Sequence, residues 1–341
     1  MTTRRRWIAV LAGLAIAAAL PKLGVPTFYV SLLTQTFVYA IVAMSLDMLV
    51  GFTGLVNFSQ AAFFGVGAYG AALAATRLHI LGFGGGMAFG VACAVLTAAI
   101  FGLVALRAEG TGFIIITIAL NQIAWGLAYQ WVSLSNGDNG ITGLTRPPLF
   151  GIDLSGNTSY YYVCLAGLLI ALAVLTLVVR SPFGLVLQGL RETPRRMRAL
   201  GYDVWLYRYV AILISAAIAG FAGVLFAWYN QFVGPVDLAL DLSTQFLIIV
   251  ILGGIGTLYG QLLGALIVVF LSNGLSAITQ RWELILGAVY FAIVLYAPDG
   301  LVGLGRRIAQ RVQGRRSSLA PHEPLLAASG VALTAAEIDE P

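Results

Sequence analysis

About ten long apolar runs dominate the chain, separated by short polar or glycine-rich interruptions. They fall at 7–24, 29–51, 58–76, 83–106, 112–133, 160–179, 209–230, 243–255, 260–279 and 283–298. In lipid every backbone N–H and C=O must find its partner inside the protein, and for a single apolar run of about 20 residues that means an α-helix. Composition agrees: 60% of the 341 residues are hydrophobic and 10% are charged, where a soluble domain carries about 25% charge. The expected fold class is all-α, a polytopic membrane protein of about ten transmembrane helices. The eighth run is short and is followed by glycines, so a broken or tilted element is expected there.

Charge sets the expected orientation. Arg4, Arg5 and Arg6 ahead of the first run resemble a secretory leader, even a twin-arginine one, but a chain with this many later spans needs no cleaved leader. With an uncleaved first helix and a cytoplasmic N-terminus, alternation puts all but four of the 19 basic residues inside, leaving Lys22, Arg77, Arg146 and Arg281 outside. That is the positive-inside pattern. Both termini are then cytoplasmic, and the net charge of +5 is a matter of topology rather than of nucleic-acid binding. Residues 1–306 form the membrane domain. The tail 307–341 mixes Ser, Pro and Ala without periodicity and reads as disordered.

Several chemistries are excluded or disfavoured. Lys22 is the single lysine and does not sit in GxxxxGK[ST], so ATP hydrolysis falls to another protein. His79 and His322 are too few and too far apart for a clustered metal site, and no metal or cofactor is implied. Cys93 and Cys164 lie in apolar runs and read as small buried hydrophobes, although a pair remains open. No His, Cys or acid cluster points to catalysis.

Gly65, Gly67 and Gly70 match GxGxxG, but the match sits in an apolar run and lacks the strand and the later acid of a dinucleotide site. Small residues that let helices approach closely explain it better, as they do Gly256, Gly260 and Gly264 and the Ala216–Gly220 and Ala219–Gly223 pairs. Two segments share a pattern of Gly-x-x-Gly, a few residues, Gln and another span: residues 51–60, with Gly54, Asn57 and Gln60, and residues 253–261, with Gly253, Gly254, Gly256 and Gly260. Paired glycine-broken segments point to a transport path, and tight cytoplasmic turns are the competing reading. Asp47 is the one acid well inside a run, so an ion-driven carrier is disfavoured. Asn121, Gln122, Asn230 and Gln231 either line a path or bond neighbouring helices. The segment from Arg180 to Arg208 is the one sizeable inner loop between spans. Its broken amphipathic pattern of Leu185, Leu187, Leu190, Met197 and Leu200 among arginines favours a docking element over a plain anchor.

SLDMLVGFTGLVNFSQAAFFGVGAYGAAL (45–73), RAEGTGFIIITIALNQI (107–123), SNGDNGITGL (135–144), SPFGLVLQGLRETPRRMRALGYDV (181–204) and ILGGIGTLYGQLLGA (251–265) together resemble the branched-chain amino-acid ABC importer permeases, of the LivM-like kind. The resemblance runs through most of 30–300 in order. It implies a vitamin B12-importer-like architecture and a translocation subunit in the bacterial inner membrane. Its implied partners are a second, LivH-like permease, two cytoplasmic ATPases and a periplasmic substrate-binding protein. On it, 181–207 is the coupling loop, with Arg191, Glu192, Arg198, Ala199, Leu200 and Gly201 facing the ATPase. Gly54, Asn57, Gln60, Gly65, Gly67, Asn121, Gly253, Gly254, Gly256 and Gly260 form the path and its hinges. Arg77, Arg146 and Arg281 are candidates to meet the binding protein. The loop carries Pro194, Arg195 and Arg196 where relatives favour small residues, and the Asn57–Gln60 run is unusually polar. Leucine, isoleucine or valine is the expected cargo. Urea or another small amide is the alternative within the family, and a non-transporting membrane scaffold the alternative outside it.

Overall fold

A computed structural model describes residues 26–276 except 79–81, 150 and 152, together with a few positions at 21 and between 281 and 303. The expected first span, most of the tenth and the tail 307–341 lie outside the described residues. Eight apolar runs fall within them, and each is helical: α1 (Thr27–Asp47), α2 (Gln60–Thr76), α3 (Phe83–Ala105), α4 (Thr111–Gln130), α6 (Asn157–Arg180), α9 (Val204–Asn230), α10 (Leu240–Gly253) and α11 (Gly260–Ser276). Short helices fill the connections: α5 (Val132–Ser135), α7 (Pro182–Glu192) and α8 (Pro194–Ala199). Residues 27–53, α3, α4, α6 and α9 are long and apolar enough to cross a bilayer, whereas α10 and α11 are shorter. One departure from all-α is a two-stranded antiparallel ribbon of β1 (Ile141–Thr142) and β2 (Phe232–Val233), with Ile141 opposite Val233.

The centre of the bundle is α1. Sixteen of its 21 residues are buried, against α6, α9, α10 and α11. Three of its hydroxyls bond within the helix: Thr34 and Thr36 donate to the carbonyls of Val30 and Leu32 at 2.8 Å, and Ser45 to that of Val42 at 2.7 Å. After Asp47 the helix widens into a π-helical segment, Met48–Thr53, and stops at Gly54, whose φ of +76° only glycine adopts without strain.

Beside α1, the helices α2, α3 and α9 pack with backbone against backbone. A Cβ on Gly67 would stand 2.6 Å from Gly220 of α9, and one on Gly70 would stand 2.8 Å from Gly90 of α3. The GxGxxG match is therefore a helix-packing surface, as its place in an apolar run implies. Cys93 and Cys164 are free thiols on α3 and α6.

Candidate functional site

The segment expected to dock a partner, α7 and α8, is built by two proline starts and one glycine stop. Ser181 caps α7, its Oγ accepting from the Gly184 N–H, and Pro182 occupies the first turn, where its missing N–H costs nothing. Pro194 opens α8 in the same way. The Gly201 N–H returns to the Arg198 carbonyl and the Tyr202 N–H to that of Met197, a Schellman stop made possible by φ of +89° at Gly201. Asp203 then caps α9, accepting from Trp205 and Leu206 N–H at 3.0 and 3.1 Å. On α7, Val186, Leu187 and Leu190 face inward. Arg191, Glu192, Arg198, Ala199, Leu200 and Gly201 are all exposed. Leu185 and Leu200 stand out at 64% and 72% exposure among arginines. Arg198 pairs with Glu109, between α3 and α4, at 2.9 Å, which ties α8 to the start of α4.

Both glycine-broken segments meet at this end of the bundle. Arg191 donates from Nη1 to the Gly51 carbonyl, and Gly54 lies under its side chain, where a Cβ would stand 3.1 Å from Arg191 Cγ. On the other side of the π segment, a Cβ on Gly51 would stand 2.5 Å from the Gly256 nitrogen. Asp47 Oδ1 accepts from the Gly256 N–H at 2.7 Å. Gly253 and Gly260 hold α10 and α11 together as a hairpin: a Cβ on Gly253 would stand 2.7 Å from the Gly260 carbonyl oxygen. The Gly254 carbonyl accepts from Thr257 Oγ1 at 2.5 Å.

Further into the bundle, the N-terminus of α2 is buried, and its orphan N–H groups are met by side chains from other helices. Ser243 of α10 accepts from Ala61 N–H at 2.9 Å, and Asn121 Oδ1 of α4 accepts from Ala62 N–H at 3.0 Å. The Asn121 amide also donates to the Leu238 carbonyl at 3.0 Å. Gln60 donates to Ser45 and Ser215 at 2.6 and 3.1 Å, which joins α2 to α1 and α9. Asn57 Oδ1 accepts from the Ser59 N–H at 2.9 Å and its amide donates to Gln60 at 3.4 Å. Gln60 and Asn121 are fully buried and Asn57 nearly so. Gly65 lies against Leu238 and the Asp237 carbonyl. These residues hold helices together; among the described residues Gln60 and Asn121 are sealed from solvent, and Asn57 borders a small cavity with Ser59, Phe63 and Thr117.

The next residue along α4 behaves differently. Gln122 and Gln130 are exposed with Gly126 half-buried between them, four residues apart on one side of the helix. Gly126, Gln130, Ile123, Leu127 and Trp131 line a shallow cleft. Elsewhere the outer faces suit lipid: α3 exposes Leu96, Ile100 and Leu103, and α6 exposes Leu169, Ile170 and Leu177.

Comparison with known proteins decides the family. Residues 28–295 match the family described as branched-chain amino acid transport system / permease component. The chain belongs to that family. Across 330 residues it is 30% identical to the high-affinity branched-chain amino acid transport system permease protein LivM of Salmonella typhimurium, covering 89% of this chain and 77% of that one. A probable LivM of Methanocaldococcus jannaschii is 27% identical, covering 77% and 90%. The high-affinity branched-chain amino acid transport system permease protein LivH of Escherichia coli is 24% identical, covering 78% and 91%. No solved structure matches.

In this permease the three expected outer arginines have different surroundings. Arg146 is turned onto its own chain: it donates to the carbonyls of Trp228 at 3.0 Å, Tyr229 at 3.2 Å and Ser155 at 3.1 Å, and stacks over Tyr160. Its charge meets the open carbonyls at the C-terminal end of α9, while the side chain stays half-exposed. Arg77 is exposed and donates to the Ser133 carbonyl at 2.7 Å. Arg281 is exposed. Sequence reasoning missed Asp237. It lies between α9 and α10, 6% exposed, and accepts from Gly234 N–H at 3.0 Å. Burial pushes its carboxyl up to about 6, against the lowering effect of that N–H. The one signal for it was Gly-Pro-Val-Asp, an acid three residues after a turn start.

Proposed function

We propose that this chain is one of two permease halves of an ATP-driven importer that carries leucine, isoleucine or valine into the cell. The observation that carries the reading is the α7–α8 element, with Leu185 and Leu200 exposed among arginines at the end where both glycine-broken segments meet. Exposed leucines on a segment rich in arginine suit a soluble partner, here a cytoplasmic ATPase at each permease half. A LivH-like second permease is the other partner, since relatives of both kinds match this chain. The amide-bearing side of α4 supports it: Gln122 and Gln130 are costly against lipid tails and suit a facing helix or a watered path. On this reading the path lies between the two permeases, and a periplasmic binding protein delivers the solute. The full chain has about ten spans in a vitamin B12-importer-like arrangement, both termini are cytoplasmic, and the chain does no chemistry of its own.

The test is reconstitution of both permeases, the ATPases and the binding protein in proteoliposomes. ATP-dependent uptake of labelled leucine is expected, with no ATP turnover by this chain alone. Uptake of urea in place of leucine would replace the substrate, and turnover by the isolated chain would refute the division of labour.

A further inference from the structure

Asp47 occupies a place that a plain membrane helix would fill with an apolar residue. It is fully buried at the end of α1, where the α-helix gives way to the π segment. Its Oδ1 accepts the Gly256 N–H at 2.7 Å, while Oδ2 has no hydrogen-bond partner among the described residues. One turn on, the Gly51 backbone bears directly on that of Gly256, with no room for a methyl group between them. The carbonyl of the same Gly51 takes the Arg191 guanidinium of α7. The π segment is thus held at two points, on one side by the docking helix and on the other by the turn of the α10–α11 hairpin. That hairpin in turn reaches the start of α2 through Ser243, which accepts from Ala61 N–H at 2.9 Å.

We propose that Asp47 is a positioning residue that couples α7 to the α10–α11 hairpin, so that a push on the docking element moves the hairpin and with it the N-terminus of α2. The physical reason is stiffness in series. A charge-assisted bond and a backbone-on-backbone bearing transmit displacement, whereas a contact between flexible side chains absorbs it. A π-helical turn suits the hinge position, because its wider hydrogen-bond register changes at small cost and such turns concentrate at functional sites. A carboxylate that only capped the Gly254–Thr257 turn would need neither the Gly51 bearing nor the arginine on the far side.

The inference rests on the ATP-driven reading above, and its test separates the two. In the reconstituted complex, solute carried per ATP hydrolysed is compared with ATPase rate and assembly for the wild type, Asp47→Asn, Asp47→Leu and Arg191→Met. Asp47→Asn keeps an acceptor for Gly256 and is expected within about threefold of the wild-type ratio. Asp47→Leu and Arg191→Met are expected to assemble and hydrolyse ATP while the ratio falls at least tenfold, and the double variant to fall no further, since both lie on one route. A merely structural role would lower assembly, hydrolysis and uptake together and leave the ratio intact. That result, or Arg191→Met carrying solute at the wild-type ratio, overturns the proposal. If Asp47→Leu fails to assemble, the ratio for the smaller Asp47→Ala, which also removes the acceptor for Gly256, decides. A wild-type complex with no ATP-dependent uptake would instead refute the underlying function.

Discussion

Replacing Asn121 by Leu separates two neighbouring amides that the sequence does not distinguish. Asn121 closes the start of α2, accepting from Ala62 N–H and donating to the Leu238 carbonyl, both at 3.0 Å and both sealed from water. Leucine fills nearly the same volume but strands one backbone donor and one backbone acceptor. A side-chain hydrogen bond inside a membrane protein averages about 0.6 kcal/mol, because the unfolded chain in lipid finds other partners. That sets a floor of about 1 kcal/mol for the pair. Stranding a buried group costs about 1–3 kcal/mol, which sets a ceiling of about 6. Ala62 N–H precedes the first intrahelical bond of α2, made by Phe63 to Ser59, so no helical carbonyl stands ready to rescue it. We therefore expect about 3 kcal/mol. In mild detergent this is a fall of roughly 4 °C in the melting midpoint, at about 1.4 °C per kcal/mol for a chain of 341 residues. Gln122→Leu is the paired control: its amide is exposed in the isolated chain, so its midpoint should move by no more than about 2 °C. Asn121→Leu melting within 2 °C of wild type, or Gln122→Leu losing as much, would refute the reasoning.

Two further perturbations test the site. Asp237, with its carboxyl at about 6 in the fold against about 3.9 unfolded, binds its proton more tightly when folded, so its ionisation opposes folding. The penalty, about 3 kcal/mol at most, is absent below pH 4, grows between pH 4 and 6 and is full above. Asp237→Asn keeps an acceptor for Gly234 and should melt higher than wild type at pH 8, with the gap closing by pH 4.5; a gap independent of pH would contradict the burial argument. Arg146→Met strands the carbonyls of Trp228, Tyr229 and Ser155 and should lower stability by about 2–4 kcal/mol. An unchanged melting midpoint would show that these bonds do not hold the end of α9.

The helical layout was legible because the apolar runs are long and their interruptions polar: all eight runs within the described residues became helices. Boundaries were less so. The ninth helix starts at Val204 rather than 209 because Asp203 caps it through a stretch that also reads as basic loop. The π segment was invisible, since Met48, Leu49, Val50, Gly51, Phe52 and Thr53 continue the hydropathy of α1 and only the hydrogen-bond register changes. The pairing of the two glycine-broken segments was visible as a pattern, but their contact was not, because Gly51 and Gly256 meet across 205 positions of chain. The surroundings of Arg146 were hidden for a similar reason: a sequence shows its charge and not the open carbonyls at the end of α9 that it meets.

The central place of α1 bears on how the protein is made. At about 5–20 residues per second, the 209 residues between Asp47 and Gly256 take roughly 10–40 s to synthesise. Until α6 and α9 are made, part-way through that time, α1 is without the helices that bury it, and the hairpin that meets Asp47 comes last. Thr34, Thr36 and Ser45 are suited to the delay, being bonded within their own helix from the moment it forms. Asp47 is not, and it lies at the end of α1, where a carboxylate can keep its water until the Gly256 turn arrives.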